Sequence, residues 1–221
     1  MEKSLNWREF IITRLIQTSG YSAIVFVALI FFFLLREGIP TLGEVKLSNL
    51  LSARWYPIEN YFGILPLITG SLVVTIGAML IAFPLGIGTA VYISEIAPRW
   101  MREILKPLVE LLGGLPSVVL GFLGILLVSP FLRVFLDLPT GLTAFTGSLL
   151  LGGIAVPTIV SVAEDALDAV PRSYREGAWA LGATRWQTIW RVTLPAAKSG
   201  VLTAVMLGVG RAIGETMTVM M

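Results

Sequence analysis

From Asn60 to Ser94 the chain reads NYFGILPLITGSLVVTIGAMLIAFPLGIGTAVYIS, 35 residues without one charged side chain. A helix needs about 20 mostly apolar residues to cross the hydrocarbon core of a bilayer, so this run alone is long enough. Outward from it lie four more. Leu15 to Leu35, Leu111 to Leu132 and Leu138 to Ala163 are free of charge, and Val192 to Gly210 holds only Lys198, near its start. Five such runs in succession have no aqueous fold. The fold class is therefore all-α, a polytopic membrane helix bundle with about five spans. Composition agrees: 56% of the 221 residues are hydrophobic and 14% charged, against about a quarter charged in soluble domains. The mean hydropathy is +0.85.

There is no cysteine and no histidine, which excludes disulfides, thiolate and imidazole metal sites, and any mechanism built on a histidine base. The first run exceeds the 7–15 residues of a signal-peptide core. Arg36-Glu37-Gly38-Ile39-Pro40 follows it, in place of a small-residue cleavage site, so it reads as a retained span.

Positive charge sets the orientation. Lys3, Arg8 and Arg14 precede the first run. Arg99, Arg102 and Lys106 lie between the second and third, and Arg172, Arg175, Arg185 and Arg191 between the fourth and fifth. In the other loops Arg36, Lys46 and Arg54 are matched by Glu37, Glu44 and Glu59, and Arg133 stands near Asp137. The expected N-terminus is cytoplasmic, and five crossings leave the C-terminal end pointing outward. Pro84, with Gly86 and Gly88, is expected to kink or break the second run, Gly113-Gly114-Leu115-Pro116 the third, and Pro157 the fourth. Gly210 and Gly214 form a GxxxG pair suited to helix packing.

The loop 171–195 differs from its surroundings. Ser173 and Glu176 have capping-box spacing, Gly182 fits the left-handed turn that ends a helix, and Thr184 and Gln187 form a second box. A short helix, a glycine turn and a second helix through Trp186, Ile189 and Trp190 are expected. Tyr174, Ala178 and Leu181 share one helical face, which suits a partner groove; Trp179, Trp186 and Trp190 equally suit the lipid interface. A DNA-binding helix-turn-helix fails because spans flank both sides, so no nucleic acid is expected as a partner.

Arg211 and Glu215 are four apart and can pair on one helix face. At about 1.5 Å per residue, Arg211 lies roughly 24 Å along a straight helix from Pro195, at outer-leaflet depth. Three readings stand: a functional pair, a structural ion pair locking adjacent spans, or an arginine snorkelling to the interface. Ser117, Thr158 and Ser161 carry hydroxyls near helix-breaking prolines and are weaker candidates for lining a path. Back-bonding to their own helices is the plainer role. Glu164 and Asp165 raise the possibility of an intramembrane hydrolase. Adjacent helical residues point about 100° apart, however, and solvated or capping carboxylates are expected there. A structural or regulatory subunit is a further alternative.

Glu176-Gly177-Ala178, three residues, Gly182, nine residues, Val192, one residue, Leu194-Pro195 resembles the EAA loop of ABC importer permeases, departing at Gly177 and Val192. Glycine at 177 loosens the helix by roughly 0.5–1 kcal/mol relative to alanine. The resemblance implies that Glu176, Gly177, Ala178, Gly182, Leu194 and Pro195 belong to a loop docking in a cleft of a separate ATPase. No G-x-x-x-x-G-K-[ST] loop is present, so ATP and Mg are expected on the partner and no cofactor on this chain. Gly208-Val209-Gly210-Arg211-Ala212-Ile213-Gly214-Glu215-Thr216-Met217 resembles the signature of Pst-type phosphate permeases. So do Phe62-Gly63-Ile64-Leu65-Pro66, Pro84-Leu85-Gly86-Ile87-Gly88, Leu115-Pro116-Ser117-Val118-Val119 and Glu164-Asp165-Ala166-Leu167.

The likeness runs from about Phe62 to Met221 and is closer to the PstC than to the PstA subunit. It implies a type I importer permease (MetI-like) domain over 63–221, incomplete at its C-terminal end by a sixth span, behind an N-terminal segment, span and external loop over 1–62. It implies a substrate path using Arg211 and Glu215, whose guanidinium partner chemistry suits an oxyanion. The implied partners are a PstA-like second permease, two copies of a PstB-like ATP-binding subunit, a PstS-like extracytoplasmic phosphate-binding protein, and membrane lipid. The implied location is the bacterial or archaeal cytoplasmic membrane. Permeases for molybdate or sulfate share the EAA loop and remain the nearest alternative.

Overall fold

The computed structural model describes residues 7–44, 51–59, 61–216 and 218; Lys3, Lys46, Asn60, Met217 and Met220–Met221 lie outside them. The chain divides into two units, Met1–Leu67 and Ile68–Met221. In the first, helix α1 (Trp7–Glu44) runs on through Pro40, and its side chains are exposed from 9 to 40. A short antiparallel hairpin follows. Strands β1 (Trp55–Tyr56) and β2 (Tyr61–Phe62) set Trp55 opposite Phe62 and Tyr56 opposite Tyr61. Gly63 N–H donates to the Arg54 carbonyl at 2.9 Å, where a Cβ would strike the Ser52 carbonyl.

The second unit is built on α6 (Ala144–Asp168). Helix α2 (Leu65–Val91) ends in a π-helical turn, Tyr92–Ile96. Helix α3 (Arg99–Gly113) leads to α4 (Ser117–Leu123), a second π turn (Gly124–Val128) and α5 (Ser129–Phe135). After α6 come α7 (Arg172–Ala180), α8 (Arg185–Thr188), a third π turn (Ile189–Thr193), α9 (Leu194–Ala196) and α10 (Lys198–Gly214). Four stretches are long and apolar enough to cross a membrane: Glu9–Pro40, Leu65–Ile96, Ser117–Phe135 and Ala144–Asp168. Arg185–Ala196 with Lys198–Gly214, bent by 75°, makes a fifth if it is one span.

The expected breaks are partly corrected. Pro84 and Pro157 sit inside unbroken helices. Each removes one backbone N–H and frees one carbonyl, which packed neighbours accommodate at membrane depth. For Pro157 that carbonyl belongs to Gly153. The break before Pro116 is present: Gly114 caps α3 and Pro116 is extended (φ −60, ψ 129). The remaining irregularities are the three π turns and the bend at Ala197, none of them anticipated.

Glycine contacts set the register. Gly77 meets Ser148, Gly152 meets the Ala78 carbonyl and Ile81, and Gly86 meets Ile159, so α2 runs parallel to α6. Gly200 meets Ala166 and Gly208 meets Ile159, so α10 runs antiparallel; Gly113 against Pro157 and Gly124 against Leu150 put the α3–α5 stretch antiparallel too. Fully buried Ile159 is clamped by two glycines: a Cβ on Gly86 or Gly208 would come within 2.7 or 2.5 Å of it. Around it pack Ala82, Ala155, Val160, Ala163 and Ala204. Small residues let helices approach where lipid supplies no hydrophobic drive. The packing stripe of α10 is Gly200, Ala204, Gly208 and Ala212. The Gly210–Gly214 pair does not pack within the chain, since a Cβ at either would meet nothing within 4 Å.

Candidate functional site: a coupling loop and the ion pairs beneath it

The loop after α6 has the expected outline with one correction. Helix α7 starts at Arg172 with Pro171 at its N-cap and no side-chain cap. Ser173 is thereby its second residue, inside the helix, and makes no capping box with Glu176. The C-terminal end is a Schellman motif. Gly182 takes φ +80, Ala183 N–H donates to the Ala178 carbonyl at 3.0 Å, and Gly182 N–H donates to the Trp179 carbonyl at 2.9 Å. The Thr184 box is formed: Gln187 N–H donates to Thr184 Oγ1 at 3.3 Å and Thr184 N–H to Gln187 Oε1 at 2.9 Å. The expected shared face divides. Ala178 is buried, Tyr174 is exposed, and Leu181, beyond the last helical residue, is 91% exposed at the apex of the turn. Glu176 and Gly177 face outward; Pro195 is exposed and Leu194 half-buried against the core.

Beneath the loop lies a set of ion pairs that sequence reasoning missed. Arg175 Nε donates to both Glu95 oxygens at 3.1 and 3.3 Å, and Nη2 donates to Oε1 at 2.5 Å. Its nitrogens also donate to the Val170 and Leu167 carbonyls at 2.7 and 2.9 Å. Arg102 donates to the Ile93 and Ser94 carbonyls and pairs with Asp168 at 3.3 Å, while Ser94 Oγ donates to Asp168 at 2.6 Å. Lys106 donates to Glu164 at 2.6 Å and to Asp165 at 3.0 Å. These two carboxylates, Glu164 first, hold the Lys106 ammonium protonated well above its ordinary 10.5. Glu164 corrects an expectation: it is not a solvated cap, and its side chain is only 3% exposed, whereas that of Asp165 is 71% exposed. Its second oxygen has no partner and borders a cavity of about 10 Å³ lined also by Lys106 and Ser161, room for about one water. A signal was available: Arg102 and Lys106 share one face of α3, and Glu164 and Asp168 one face of α6.

The other predicted residues are not brought together. Helix α10 ends at Gly214, and Glu215 is already extended (φ −81, ψ 114). It therefore leaves the helical face of Arg211, and among the described residues no ion pair joins them. Depth is corrected as well. Gly208 meets Ile159, and three further residues at about 1.5 Å each put Arg211 level with the middle of antiparallel α6, not its far end. Ser117 opens α4, and its carbonyl accepts from Thr218 Oγ1 at 3.2 Å. Thr158 and Ser161 are half-buried on α6. Among the described residues none of the three hydroxyls back-bonds to its helix.

Residues 82–221 match the family model described as binding-protein-dependent transport system inner membrane component. The chain belongs to that family. Among curated members of it, a probable ABC transporter permease protein, YqgH, of Bacillus subtilis is 46% identical over 81% of this chain and 59% of its own length. The phosphate transport system permease protein PstC of Xylella fastidiosa is 36% identical over 78% of this chain and 59% of its own. PstC 1 of Mycobacterium bovis is 36% identical over 86% and 62%. The chain thus spans about three fifths of the length of these relatives. A crystal structure of the MetNI methionine ABC transporter, in inward-facing conformations, superposes with a TM-score of 0.58 at 24% identity, covering 66% of this chain and 68% of that one. That likeness gives the chain its fold, a MetI-like bundle of membrane helices.

Proposed function

We propose that the chain is a membrane-spanning permease subunit of an ATP-driven importer of inorganic phosphate. The carrying observation is the loop 171–195. It combines EAA-type spacing with an outward-facing Glu176 and a projecting Leu181, on a helix closed by Gly182 and tied to the bundle by Arg175. Such a helix suits a groove on a partner, and the absence of a phosphate-cradling loop for ATP assigns hydrolysis and Mg to that partner. Basic residues cluster ahead of the first uncharged run, at Lys3, Arg8 and Arg14, on α3 and on the loop, which supports a cytoplasmic N-terminus and loop. Phosphate is favoured by the relatives named phosphate transport system permease proteins and by Arg211, a planar donor suited to an oxyanion. Glu215 sits beside the path, and Ser117, Thr158 and Ser161 are its weaker candidates. The reading includes a second permease, two ATP-binding subunits and an extracytoplasmic phosphate-binding protein as partners.

The test is ATP hydrolysis by the chain assembled with those partners in lipid vesicles. Phosphate-loaded binding protein is expected to stimulate hydrolysis, and Glu176→Arg to abolish the stimulation. Stimulation by molybdate- or sulfate-loaded protein alone transfers the assignment to that oxyanion. No stimulation by any loaded protein in a verified complex refutes the importer reading.

A further inference from the structure

The π turn Tyr92–Ile96, at the end of α2, is a junction of three other helices. Glu95 takes Arg175 of α7, Ser94 takes Asp168 of α6, and the Ile93 and Ser94 carbonyls take Arg102 of α3. Glu95 and Arg175 are 80 residues apart in sequence and keep only 9% and 13% of their side-chain surface exposed. The Arg175 guanidinium reaches in three directions at once: to Glu95, to the last turn of α6 at Leu167, and to Val170 just before α7. The next residue, Glu176, is exposed and lines the open cleft beside the pair. Helix α7 therefore carries an exposed charge at Glu176 directly after the half-buried one that anchors it. The link has directional consequences. Apolar contact resists separation only by weak, non-directional attraction, while a planar, multiply hydrogen-bonded ion pair resists it strongly and at a fixed geometry. Helix α2 is thus tied to α7 for both push and pull. The junction lies in a π turn, a geometry frequent at functional positions, beside a cleft of about 450 Å³ whose lining includes Glu95, Arg102, Asp168, Arg175 and Glu176.

We infer that the Glu95–Arg175 pair is the positioning link that carries displacement of the coupling helix α7 into the spanning helix α2. This rests on the reading of the chain as an ATP-coupled permease. Glu95 and Arg175 act through the helices they join and touch no substrate.

The readout is phosphate moved per ATP hydrolysed, by the assembled complex in vesicles. Glu95→Gln keeps volume and an acceptor but removes charge; Arg175→Lys keeps charge but loses the fork. Both are expected to retain their partner subunits on purification, and to lower the ratio by about fivefold or more, the lower end of ordinary coupling energies. A purely structural role would lower yield and leave the ratio of surviving complexes unchanged. Because the chain has no cysteine, Glu95→Cys/Arg175→Cys can be bridged by a short bis-methanethiosulfonate reagent, which forms a disulfide at each cysteine with release of sulfinate and is reducible afterwards. The bridge is expected to restore the ratio, and its reduction to lower it again. An unchanged ratio in both single variants overturns the inference, as does a bridged pair that stays uncoupled. If the single variants fail to assemble, the bridged pair decides alone. Unvaried complex without phosphate-stimulated hydrolysis overturns the functional reading as well; coupled unvaried complex with fully coupled variants overturns this inference only.

Discussion

The two charged regions of the second unit differ in how they are held. Where α2, α3, α6 and α7 meet, Glu95, Arg102, Lys106, Glu164, Asp168 and Arg175 all have partners inside the chain. Near the end of α10, Arg211 and Glu215 have none among the described residues, and Arg211 is exposed at the level of the middle of α6. A buried charge is tolerated when paired and hydrogen-bonded, which is how the first region is built. An arginine at bilayer depth without a partner of its own is costly and is by default functional. The first region is a joint closed on itself by its ion pairs, whereas among the described residues the second has no ion pair, which is why the proposed function places the oxyanion path there.

The largest separation between the regions is expected from Arg211→Ala. Uptake should fall on the order of a hundredfold or more, as when a preorganised donor to an oxyanion is removed, with thermal stability in detergent unchanged. Equal losses of stability and uptake would make Arg211 part of the joint. Glu164→Ala should do the reverse, removing the shorter of the two carboxylate contacts of Lys106 while Asp165 stays within reach, at a cost of about 1–3 kcal/mol, read as a lowered unfolding midpoint. Lys106→Met combined with Glu164→Leu should recover most of that loss. Packing sharpens the contrast more mildly. Gly208→Val overpacks against Ile159 and should cost about 1–3 kcal/mol. Gly210→Ala, inside α10 with nothing within 4 Å, should stabilise by about 0.5–1 kcal/mol. The smallest effect concerns pH. Because Lys106 is raised above 10.5, its contribution is complete below that value and is lost only as pH rises past its folded pKa. The stability gap between the chain and Lys106→Met should therefore stay constant from about pH 6 to 9 and close only at stronger alkalinity.

How far this was legible follows from what each signal encodes. Uncharged runs report membrane helices directly, because the bilayer tests composition and length. Gly182 and the Thr184–Gln187 box report local backbone geometry, which neighbouring residues fix. Ser173 failed as a cap because Pro171 takes the N-cap position and starts the helix two residues earlier than the box requires. Pro84 and Pro157 failed as breaks because tertiary packing, absent from a linear reading, absorbs a single lost hydrogen bond. Arg211 and Glu215 looked paired only while the helix was assumed to continue past Gly214. The Glu95–Arg175 and Lys106–Glu164 contacts join residues 80 and 58 apart. Spacing along the chain showed which faces carried charge but not which faces would meet.

The most direct measurement of the contrast is spin-label distance in the assembled complex through its ATP cycle, since introduced cysteines are unique in this chain. Labels at Ile96→Cys and Ala180→Cys span the joint; labels at Gly153→Cys and Gly214→Cys span the Arg211 region, and all four sites are exposed. The account predicts one unchanged distance distribution across the joint and a nucleotide-dependent shift at the Arg211 region. A joint that separates during the cycle, while the Arg211 region holds still, would contradict it.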